Sequence, residues 1–171
     1  MKSPSSGPSD PGEHAAGAPP APSSLPVFLV IGLGLLLAPP MVFVVVGLTK
    51  GMGLAGTAEA VVAQYGVRRM NLLSSAIPSF LPLVLLALLV WIIGRFTSIQ
   101  ASRRSLAMGG GAAILIVMVW INFEFWPVFL PERVTPGFPH GLEFVIGPLY
   151  FAPVAMLVGM GLAAVLDRSD R

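Results

Sequence analysis

The chain contains no cysteine among its 171 residues. That excludes thiol–disulfide exchange, iron–sulfur ligation and cysteine nucleophiles. Histidine is almost as scarce, with only His14 near the start and His140 in a late connection. A bis-histidine haem needs two imidazoles on facing helices, and a serine hydrolase needs a nucleophile elbow around its serine. Neither pattern is present. Charge is the third deficit: charged residues make up 11% of the chain, against about 25% in soluble domains. The ten Lys and Arg form no soluble basic patch interleaved with aromatics, so no nucleic-acid partner is expected. Gly109, Gly110 and Gly111 lack the Lys-Ser/Thr that completes a phosphate loop, and no HExxH zinc signature occurs. No cofactor and no metal are expected.

What the chain has instead is apolar length. Hydrophobic residues reach 55%, gathered in four runs at about 25–48, 76–95, 106–126 and 142–166. Each holds roughly 18 to 25 residues, enough for an α-helix to cross a hydrocarbon core of about 30 Å. The expected fold class is all-α: a polytopic membrane protein built as a bundle of four transmembrane helices. Residues 1–24, rich in Pro, Ser, Gly and Ala, show no apolar period and are expected to be disordered. The first run is too long, and too far from Lys2, for a cleaved signal, and reads as an uncleaved span. Residues 167–171 make a short polar tail after the 25–166 membrane domain.

Pro39 and Pro40 fall inside the first run and are expected to kink or break it. The connection at 49–75 opens with Gly51, Gly53 and Gly56. It then reads as a helix over 57–73 with Thr57 as N-cap and Glu59 in the first turn. Val61, Val62 and Tyr65 share a side and Arg68 and Arg69 follow, which suits an amphipathic helix in the membrane interface; a soluble lid is the competing reading. The link between the second and third runs is short and carries Arg95, Arg103 and Arg104, which makes these spans antiparallel neighbours.

An even number of spans puts both termini on one side. Lys2, Arg95, Arg103, Arg104, Arg168 and Arg171 share that side, against Lys50, Arg68, Arg69 and Arg133 opposite. The excess favours cytoplasmic termini, in a plasma or inner membrane, by a margin of about one residue because Lys2 is remote.

Two groups of residues carry the candidate sites. Gly147, Ala155, Gly159 and Ala163 recur at multiples of four in the last run, the spacing of a small-residue packing face. Glu124, His140 and Glu143 fall at or between the ends of the third and fourth runs, with Glu132 and Arg133 in the same link. Imidazole and carboxylates together suit proton transfer or ligand binding, and a divalent metal only weakly, since no HExxH signature accompanies them. The plainer reading makes Glu143 a helix-start residue, Glu124 a headgroup contact and Glu132–Arg133 a solvated pair. Asn122 joins Glu124 as the other strongly polar side chain of the third run.

With charge missing from the span centres, no repeat relating the two halves and no catalytic motif, the expectation is an accessory, assembly or structural subunit. It would partner the lipid bilayer and other membrane subunits or itself. Two alternatives stay open: a small transporter or channel subunit that forms its path by oligomerising, and a membrane enzyme using the Glu/His cluster.

Overall fold

The computed structural model describes residues 23–66, 76–96, 102–128, 130 and 142–169. These form α1 (Leu25–Thr49), α2 (Gly53–Gly66), a 3-10 turn (Ile77–Ser79) leading into α3 (Phe80–Phe96), then α4 (Arg103–Phe125) with a 3-10 turn at Trp126–Val128. After these come a single turn α5 (Glu143–Ile146), a π-helical turn (Gly147–Phe151) and α6 (Ala152–Ser169). There is no strand among the described residues. Four helical stretches there are long and apolar enough to cross a membrane: Leu25–Thr49, Ile77–Phe96, Arg103–Phe125 and Phe144–Ser169.

Helix α1 differs from expectation at Pro39 and Pro40. It stays one continuous helix across both. Proline's fixed φ suits a helix; what it removes are the hydrogen bonds to the carbonyls of Leu35 and Leu36. The run is apolar on every side, and Leu35, Pro39, Val42, Phe43 and Val46 are buried against the rest of the bundle, so packing holds the helix where the ladder is interrupted. It ends in a Schellman turn. Gly51, at φ 78°, sends its N–H to Leu48, and Met52 closes back to Gly47.

Helix α2 starts earlier than the sequence suggests, at Gly53 rather than after Thr57. Thr57 is no N-cap: its hydroxyl donates to the Gly53 carbonyl inside the first turn, at 2.7 Å. The side chain is buried against α1, where a β-carbon on Gly47 would lie 3.0 Å from it. Leu54 and Val62 point outward. At 14 residues, α2 is about 21 Å long, too short to span. Residues 67–73 of the expected helix lie outside the described residues, as does the N-terminal tail as far as Pro22.

Helix α4 is the axis of the bundle, with α6, α1 and α3 packed around it. It begins at Arg103 because Ser102 caps it; the Ser102 hydroxyl accepts from the Ser105 backbone N–H at 3.0 Å. Helix α1 runs parallel to α4, pairing Ile31 with Gly111, Gly34 with Leu115 and Phe43 with Trp126. Helices α3 and α6 run antiparallel to it, pairing Gly94 with Arg103 and Gly159 with Gly109.

The π turn holds Pro148 at its second position and is followed by Pro153. Pro148 withholds a donor from the Phe144 carbonyl, and Pro153 withholds one from Leu149. Between them the ladder widens, and Ala152 donates to Gly147, five residues back.

Candidate functional site

The tightest packing surrounds three consecutive glycines. Successive residues of an α-helix point about 100° apart, so Gly109, Gly110 and Gly111 address three directions. A β-carbon on Gly109 would run into the Gly159 carbonyl oxygen of α6 and lie 2.6 Å from the Ala163 β-carbon. One on Gly110 would lie 2.6 Å from Leu86 of α3 and 2.9 Å from Met160 of α6. One on Gly111 would overlap Ile31 of α1. The three glycines form a collar at which three helices reach the α4 backbone. Close approach through small residues is what favours helix association in lipid, where burying apolar surface gains nothing.

Of the candidate packing residues, Gly159 and Ala163 meet Gly109, and Gly159 also faces Ala113, whose β-carbon would be 2.8 Å from one added there. Gly147 is buried against Ile121, farther along the same helix. Ala155 is half-buried. The partner face, Gly109 and Ala113, escaped sequence reading, although its four-residue spacing repeats that of Gly159 and Ala163. Gly161, on the outer side of α6, has open space where its β-carbon would be.

A second cluster lies toward the other end of α4. Asn122 is fully buried; its amide donates to the Met118 carbonyl at 2.8 Å, and its oxygen accepts from the Trp126 indole N–H at 3.0 Å. Around it, edge-to-face rings run from Phe43 to Trp126 (5.0 Å), to Phe125 (5.0 Å) and to Phe144 (4.6 Å). Such pairs add roughly 0.5–1.5 kcal/mol each beyond area burial. The cluster joins α1, α4 and α5.

The acidic and imidazole candidates are placed only in part. Glu124 is exposed at the end of α4. Glu143 opens α5, but its side chain, with His140, Glu132 and Arg133, lies outside the described residues. Among the described residues no group of three or more His, Asp or Glu is arranged to hold a metal ion. Their buried polar side chains are Thr57, Ser79 and Asn122, and none of their buried side-chain N or O atoms lacks a partner.

The opposite end of the bundle is held by polar contacts between helix ends. Arg103 donates to the Gly94 carbonyl at 2.6 Å. Asp167 accepts from the Ser102 N–H at 2.9 Å and from the Ser105 hydroxyl at 3.2 Å. Comparison with known protein families, curated proteins and solved structures finds no match for this chain.

Proposed function

We propose that the chain is a small multi-pass integral membrane protein that serves as an accessory, assembly or structural subunit of a membrane complex. The observation that carries this reading is the closed glycine collar. It brings three helices onto α4 within that helix's second and third turns, where the surrounding side chains (Ile31, Leu86, Met156, Met160) are apolar. A path for ions or protons through one copy would need polar or charged groups at that level. The outward faces are apolar as well, including Leu33 and Met41 of α1, Val84 and Leu88 of α3, and Leu157 and Leu162 of α6. Such faces suit lipid or the helices of other subunits. Helix α2 then lies along the interface, and both termini face the cytoplasm across a plasma or inner membrane.

The test is purification of the full chain in mild detergent, with identification of what remains bound. A stoichiometric membrane partner is expected, and Glu124→Gln, His140→Ala and Glu143→Gln should leave that association intact. A monomeric, partner-free chain that moves ions in liposomes would overturn the proposal.

A further inference from the structure

We propose that the basic end of the bundle is a docking surface for the headgroups of anionic phospholipids. This inference rests on reading the chain as a membrane protein. The hydrogen bonds between helix ends gather the arginines. Arg103 reaches Gly94 of α3, where Arg95 is the next residue, and Asp167 draws the end of α6, with Arg168, onto the start of α4. Arg95, Arg103, Arg104 and Arg168 thus come together from three helix ends, and all four are exposed.

Among the described residues, Asp167 is the acid at this end, and the two serines already engage it. At the opposite end Lys50 is accompanied by Glu59 and Glu124, so described charge there has no such excess. Guanidinium groups match phosphate oxygens in paired hydrogen bonds, which suits a headgroup phosphate.

The neighbours of the arginines select a lipid over a free anion. Phe96 adjoins Arg95 and is 71% exposed. Met108 stands one turn inward of Arg104, and Val165 and Leu166 precede Arg168, all exposed. A ligand that satisfies both sets must carry negative charge at one level and acyl chains directly below it.

Lipid retention by the purified full chain tests this. Detergent-solubilised protein is supplemented with phosphatidylglycerol or phosphatidylcholine and read by native mass spectrometry. Phosphatidylglycerol should be retained preferentially, with the preference shrinking as salt rises. Each exposed arginine is expected to contribute about fivefold, so combined Arg95→Gln, Arg104→Gln and Arg168→Gln should weaken retention about a hundredfold. Lys50→Gln should not change it. If the triple variant loses helicity, Arg104→Gln alone still reads about fivefold. Equal retention of the two lipids, or undiminished retention by the folded variants, would overturn the inference. Alkaline extraction separates the two levels of failure. A chain released from membranes by carbonate removes the membrane reading and this surface together; a chain that stays in membranes without lipid preference removes only the surface.

Discussion

Gly109 and Gly159 face each other across the crossing of α4 and α6 so closely that a β-carbon on either would strike the other's carbonyl oxygen. Neither backbone can yield without separating the two helices. Gly159→Leu is therefore predicted to destabilise the bundle by at least about 3 kcal/mol, the upper range for overpacking. Gly161→Leu, two residues along but facing open space, should not destabilise and should gain about 0.5–1 kcal/mol through helix propensity. Thermal unfolding of both variants in the same detergent checks the contrast, and equal midpoints would refute it.

The Asn122–Trp126 hydrogen bond predicts a non-additive pair. Asn122→Leu leaves the buried indole N–H without an acceptor, a loss of about 1–3 kcal/mol. With Trp126→Phe alongside it, no orphaned donor remains. The double variant should then be more stable than the sum of the two single losses implies. A double-mutant cycle from denaturation midpoints measures the coupling, and strict additivity would remove the claim.

At the basic end, Asp167→Ala is expected to cost only about 1 kcal/mol because the pair is partly solvated. Its signature is local. The Ser102 amide loses its carboxylate acceptor, so hydrogen exchange there should accelerate while amides near Gly110 keep their protection. Asp167→Asn retains an acceptor oxygen and should fall between the two.

The turn after α1 gives a prediction of opposite signs. Gly51→Ala places a side chain at φ 78°, at a cost of roughly 1–2 kcal/mol. Gly56→Ala, within α2 and beside open space, should stabilise by about 0.5–1 kcal/mol through helix propensity. Calorimetry of the two variants would show shifts in opposite directions; a shared sign would contradict the assignment.

Much of the fold was legible because apolar length alone implies long helices: the four runs correspond to Leu25–Thr49, Ile77–Phe96, Arg103–Phe125 and Phe144–Ser169, each long and apolar enough to cross a membrane. Boundaries set by single hydrogen bonds were harder to read. Ser102 starts α4 ahead of the apolar run, and Thr57 resembled a cap although its hydroxyl bonds backward within the turn. Proline was misleading in both directions. Pro39 and Pro40 leave α1 helical because tertiary packing outweighs their lost bonds, whereas Pro148, within a π turn, and Pro153, just after it, accompany a widened ladder that no periodicity announces. The collar was hidden for a different reason. Three adjacent glycines look like flexibility in a list of residues and become contact surfaces only once three neighbouring helices are in position. Of the Glu124, His140 and Glu143 cluster, only the exposed side chain of Glu124 lies among the described residues.

The parallel pairing of α1 with α4 has a consequence in time. A chain made from its N-terminus produces α1 first, yet the surface that covers Ile31 and Phe43 belongs to α4 and the turn that follows it, two long helices later. On the membrane reading proposed above, α1 waits among lipids, or beside an insertion factor, with its inner face uncovered until α4 emerges. Nascent chains arrested before Arg103 should therefore cross-link from position 31 to lipid or to the insertion machinery. Chains arrested well after Phe125 should lose that cross-link as α1 finds its seat.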